Sequence, residues 1–156
     1  MGGQPENADR SQRGPRGSST LTPEAAALLA HARAKLEAAR VLLAARAPGD
    51  AASRAYYGAF HAVSAVLVAR GQAYSSHAQV LGAFNRDFVH TAQFPREFTA
   101  ILARLFEDRQ TGDYDPTASL DVAEAERDVK DAQRIVDEID AYPRSRWTFW
   151  TGTAHS

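Results

Sequence analysis

Residues 122–140 read VAEAERDVKDAQRIVDEID. Val122, Ala125, Val129, Ala132, Val136 and Ile139 recur at alternating spacings of three and four, with charges filling the positions between them. That period turns one apolar seam toward a neighbour and sets the charges on the opposite, solvated face, so the stretch predicts an amphipathic α-helix. A strand would need a period of two, which no segment of the chain sustains.

The same reading extends outward. Pro95 opens a segment in which Phe98, Leu102 and Leu105 share a face, and Ser76 to about His90 presents Val80, Phe84 and Phe88. Asp50 is placed to cap a longer segment, where Tyr56, Phe60, Val63 and Leu67 form one stripe, Tyr57, His61, Ser64 and Val68 lie beside it, and Gly71 ends the run. Thr22-Pro23 reads as N-cap and first helical residue of a segment carrying Ala25, Leu28, Ala32, Leu36, Ala39 and Leu43, ending near Pro48-Gly49. Thr111-Gly112-Asp113-Tyr114-Asp115-Pro116 has turn composition. Amphipathic segments with short connections predict an all-α fold, an antiparallel bundle of four to five helices over residues 21–141. Residues 1–20, rich in Gly, Ser, Pro and Arg, are expected to be a disordered tail. Residues 142–156 form a C-terminal tail whose Trp147, Phe149 and Trp150 are expected to pack on the bundle or on a partner.

Composition closes several routes to function. The 156 residues include no cysteine, which removes disulfides, thiolate nucleophiles and Cys-ligated zinc. No run approaches the roughly 18 apolar residues of a membrane span and no apolar leader opens the chain, so a soluble, cytoplasmic protein is expected. The net charge is −1, too small for nucleic acid to be held by bulk electrostatics. Its distribution is uneven: residues 1–100 carry eleven Lys/Arg against seven Asp/Glu, and residues 101–156 carry seven against twelve. Any RNA site must therefore be local. The histidines show no metal-binding spacing, and no Gly-rich phosphate loop is present, so neither a metal nor a cofactor is expected. His77 and His90 read as surface or capping residues.

Two groups of residues can carry chemistry. Ser53, Arg54, Tyr57 and His61 share one helical flank, either as half-buried residues with satisfied hydrogen bonds or as the lining of an RNA or nucleotide cleft or a subunit interface. Arg109 continues the stripe of Phe98, Leu102 and Leu105, where a cation requires a partner. That partner is either Asp113 or Asp115, or a phosphate, since a planar guanidinium matches both.

Ser53-Arg54-Ala55-Tyr56-Tyr57-Gly58-Ala59-Phe60-His61 resembles the second helix of a subfamily of the HEPN domain family. Ser76-His77 is similar to that subfamily's third helix, and Arg109-Gln110-Thr111-Gly112-Asp113-Tyr114 to its Arg, three residues, Asp-Tyr segment. The resemblance spans about residues 24–140. It implies a helical bundle, commonly homodimeric, serving as an RNA-directed toxin, as the partner of a nucleotidyltransferase-type antitoxin, or as a domain of a larger RNA-targeting enzyme. It also implies a metal-independent endoribonuclease, with Arg109 on phosphate and Asp113, Tyr114 and His61 as candidate catalytic helpers. The family's usual active-site Arg is followed after four to six positions by His, and no His follows Arg109 in that window. RNA cleavage by a 2′-hydroxyl needs proton transfer as well as a cation. Tyrosine near pH ~10 and aspartate near pH ~3.9 titrate far from neutrality, so the chain is expected to be a slow nuclease or none unless His61, from the same or a second subunit, fills the gap. The other reading is a non-catalytic module that binds a nucleotide or a protein partner.

Overall fold

In the computed structural model, which describes residues 21–114 and 119–147, five α-helices form an antiparallel bundle, with no strand among the described residues. Helix α1 spans Pro23–Ala44, opened as expected by Thr22, whose hydroxyl accepts from the Ala25 N–H at 3.1 Å. The helix ends earlier than Pro48: Ala45 caps it and Arg46 takes a left-handed φ of 62°. Pro48 instead opens α2, Pro48–Ala69, because a first helical position needs no N–H and suits proline's fixed φ. Asp50 accordingly lies within the first turn of α2 and is not its cap. Gly71, at φ 79°, ends the run after α2, where a side chain would be strained.

Helix α3, His77–Phe84, is capped by the Ser76 hydroxyl and continues as a π-helical turn over Asn85–Val89. Helix α4 spans Glu97–Tyr114, and α5 spans Val122–Ala141, where Asp121 and Glu124 form a reciprocal capping box. A short 3-10 turn, Arg144–Arg146, follows.

Helix α2 is the centre of the bundle, touched by α1, α3, α4 and α5. Its buried faces are dominated by Ala51, Ala52, Ala55, Ala59, Ala62, Ala65 and Ala69, small residues that let its neighbours approach closely. The seam expected of α5 is present: Ala125, Val129, Ala132, Val136 and Ile139 are buried together with Ile135. One charge expected on the solvated face is not there. Asp128 is fully buried, because Arg104 of α4 reaches it at 3.0 Å and also holds Asp131 at 2.6 Å. Beyond α5, Tyr142 and Trp147 are buried in the core cluster, whereas Phe149 and Trp150 lie outside the described residues.

The segment read as a turn at Thr111-Gly112-Asp113-Tyr114 is the last turn of α4; Asp115 and Pro116 lie outside the described residues. Gly112 serves a helix crossing. A Cβ built there would stand 2.7 Å from the Gly49 carbonyl oxygen and 3.0 Å from Gly49 Cα. The start of α2 and the end of α4 thus meet glycine to glycine, which brings residues 109–113 beside residues 53–57. Gly112→Ala is expected to prise the crossing apart and cost about 1–3 kcal/mol, the usual range for overpacking. Urea unfolding checks this; an unchanged or raised stability would show that the contact is not tight.

Candidate functional site

The crossing of α2 and α4 gathers a polar cluster on one side of the bundle. Arg109 Nη2 donates to the Tyr57 hydroxyl at 2.5 Å, and Arg109 Nε lies 3.2 Å from Asp113 Oδ2, one helical turn further on. The Ser53 hydroxyl donates to the same carboxylate oxygen at 3.3 Å. The guanidinium carbon also stands 5.2 Å from the Tyr57 ring and 5.9 Å from the Tyr56 ring, within the range of cation–π attraction. Arg109 keeps 13% of its side chain exposed and Asp113 27%, so the cluster is anchored from inside and open at its edge.

Of the residues singled out in the sequence, Ser53, Tyr57, Arg109 and Asp113 meet here. Arg54 is exposed and makes no hydrogen bond or ion pair with the described residues. The side chain of Tyr114 lies outside the described residues. His61 is half-buried and borders the cluster, its ring centroid 6.2 Å from that of Tyr57 and 5.8 Å from that of His31 on α1. Burial lowers its pKa, and the charges of His31, Lys35 and His77 push in the same direction.

His77, read in the sequence as a surface or capping residue, is part of this neighbourhood. Ser76 caps α3 and leaves His77 as its first residue, where the ring stacks on Phe60 at 4.2 Å and its Nδ1 is paired with the Tyr56 hydroxyl at 2.9 Å. Its ring centroid is 6.0 Å from that of Tyr57. Desolvation lowers the His77 pKa, and the Arg109 charge lowers it further. Burial raises that of Tyr56 despite the opposing pull of Arg109, so this phenol stays protonated near neutrality. The sequence signal was Ser76-His77, a cap followed by an imidazole; nothing local could show that the ring turns back onto α2. Among the described residues, no three His, Asp or Glu gather in a way that could hold a metal ion.

The fold and this crossing define a helical-bundle protein with one anchored arginine beside two tyrosines and two histidines. The chain belongs to the HEPN domain family, whose model matches residues 25–142. It is 37% identical over 109 residues to a UPF0332 protein of Thermotoga maritima, a match covering 70% of this chain and 83% of the relative. Two Methanocaldococcus jannaschii proteins named as candidate toxins are also similar. One is 30% identical over 76% of this chain and 88% of its own length, and the other 32% identical over 64% and 67%. The crystal structure of TT1696 from Thermus thermophilus shares the fold, with a TM-score of 0.67 at 21% identity, covering 78% of this chain and 99% of that one. No helix among the described residues is long and apolar enough to cross a membrane.

Proposed function

We propose that this chain is the RNA-directed component of a toxin–antitoxin or related defence module and acts as a metal-independent endoribonuclease. The observation that carries this reading is Arg109 held at the α2–α4 crossing, fixed by Tyr57 and Asp113 yet open at its edge, with the imidazoles of His61 and His77 at 6.2 and 6.0 Å from the Tyr57 ring. A preorganised guanidinium matches the oxygens of a phosphodiester and stabilises the charge that builds on phosphorus during transfer. Two relatives named as candidate toxins support the biological setting. Asp113 orients Arg109, His61 supplies proton transfer, and Tyr114 follows Asp113 in the same turn of α4. Exposed Arg54 marks the side of α2 where RNA or a second copy of the chain in a homodimer would lie, while buried Ser53 holds Asp113 in place.

A second reading is favoured by the ion pair itself: Asp113 already neutralises Arg109, as expected of a structural pair in a module that binds a nucleotide or a nucleotidyltransferase-type antitoxin. Expression of the chain without its neighbours separates the two. The ribonuclease reading expects growth arrest that Arg109→Ala relieves, since losing one preorganised donor typically slows such a step by roughly a hundred- to a thousandfold. Arrest of equal strength in that variant would reject the assigned role.

A further inference from the structure

The missing motif histidine leaves proton transfer underprovided, and the structure contains two imidazoles where that chemistry is needed. Tyr57 is bordered by both: His61 at 6.2 Å and His77 at 6.0 Å between ring centroids, while its hydroxyl receives the Arg109 guanidinium. The two rings come from different helices, α2 and α3, and both contact Phe60, His77 stacked on it at 4.2 Å and His61 edge-on at 6.3 Å. Neither ring nitrogen of His61, nor Nε2 of His77, has a hydrogen-bond partner among the described residues. These nitrogens are free to meet a ligand.

We propose that His61 and His77 form a divided acid–base pair, His61 accepting the 2′-hydroxyl proton and His77 protonating the departing 5′-oxygen, with Arg109 on the phosphate between them. This rests on the ribonuclease reading above and adds His77, with a separate role for each ring. The bonds balance: the 2′-oxygen bonds to phosphorus as the phosphorus–O5′ bond breaks, giving a 2′,3′-cyclic phosphate and a 5′-hydroxyl. One proton arrives on His61 and one leaves His77, and exchange with solvent resets both.

The assignment of roles follows from what faces each ring. Burial favours the neutral, proton-accepting form of His61, and the charge of Lys35 on α1 acts in the same direction, with His31 of α1 at 5.8 Å and Tyr57 at 6.2 Å between ring centroids. His77 faces Tyr56 and Tyr57 of α2 and the charge of Arg109 on α4. The Tyr56 hydroxyl is fully buried and its oxygen pairs with His77 Nδ1 at 2.9 Å, which leaves Nε2 as the nitrogen that meets a ligand; the donating species is the imidazolium, whose Nδ1–H donates to the Tyr56 oxygen and whose Nε2–H goes to the departing 5′-oxygen. A bound phosphate brings negative charge beside His77, which favours its protonated form and loads the acid when RNA arrives.

The test is single-turnover cleavage of total RNA in EDTA across roughly pH 5 to 9, the range in which histidine titrates. It compares wild type, Arg109→Ala, His61→Gln, His77→Asn, Tyr56→Phe and the exposed, distant His90→Gln. The asparagine oxygen replaces Nδ1 as acceptor for Tyr56, so His77→Asn keeps that hydrogen bond while removing the titrating ring and its stack on Phe60. Wild type is expected to give a bell-shaped profile and 2′,3′-cyclic phosphate ends, and His90→Gln to match it. His61→Gln loses the acidic limb and His77→Asn the basic limb, each with a loss of about a hundredfold or more. Tyr56→Phe, which frees the tautomer of His77 while leaving the ring in place, is expected to lower the rate and move the basic limb. If wild type cleaves through Arg109 while His77→Asn retains its rate and its basic limb, the divided pair is wrong and the ribonuclease reading stands. If wild type cuts nothing at any pH, the ribonuclease reading fails and the pair falls with it.

Discussion

Trp147→Ala is expected to lower the free energy of unfolding by about 3–5 kcal/mol, the usual loss for removing a large aromatic side chain from a core. The indole is fully buried although it lies beyond the last long helix. Its N–H donates to the Tyr142 carbonyl at 2.9 Å, and the Arg144 guanidinium lies 5.1 Å over the ring. Tyr142 in turn packs 4.8 Å from Phe94 and 6.1 Å from Phe88, and Arg70, which caps the end of α2, donates to the Arg146 carbonyl at 2.9 Å. Residues 142–147 therefore close one end of the bundle. In a chain of this size such a loss corresponds to a melting midpoint lower by roughly 10 °C. Truncation after Ala141 is expected to cost at least as much. A midpoint within a degree or two of wild type would show that the tail is dispensable to the fold.

Arg104→Ala is expected to cost a similar amount, about 3–5 kcal/mol, but only where Asp128 is ionised. Asp128 is fully buried on α5, and burial raises its pKa, as does its hydrogen-bonding proximity to Asp108; Arg104 pulls the other way. Its Oδ2 is buried with no hydrogen-bond partner among the described residues. A carboxyl whose folded pKa exceeds its unfolded one is proton-loving in the native state, so ionisation works against folding above the folded pKa. Stability is regained as the pH falls toward the unfolded value. Removing Arg104 takes away the opposing charge, raises that pKa further and deepens the loss at neutral and higher pH. Urea unfolding of both proteins over roughly pH 5 to 8 is expected to show curves converging toward acid. A deficit that is constant with pH would mean that Arg104 contributes packing and not charge.

The helices were legible because their apolar spacing is a local property: α5 is visible in residues 122–139, and Thr22-Pro23 marks the start of α1 at the position observed. What escaped was set by contacts between distant segments. Gly112 sits in turn-like composition, yet it is a glycine because a second backbone passes it, so α4 continues through Tyr114. Pro48 looks like a terminator and is an initiator, a distinction settled by the left-handed residue two positions before it. Asp128 belongs to a run of charges whose other members are solvated, and only Arg104, 24 residues earlier, explains its burial. In the site, the helical register places Ser53, Tyr57 and His61 on one flank. Asp113 was one of three partners left open for Arg109, beside Asp115 and a phosphate. His77 was visible as part of Ser76-His77, but its place in the site was not, since its link to Tyr56 crosses between helices.

The most direct test of the central claim is incubation of purified wild type and Arg109→Ala with total RNA in EDTA, read on a denaturing gel. Cleavage by the wild type that is lost in the variant, with both proteins folded, is the predicted result. RNA left intact by both, or cut equally by both, would contradict it.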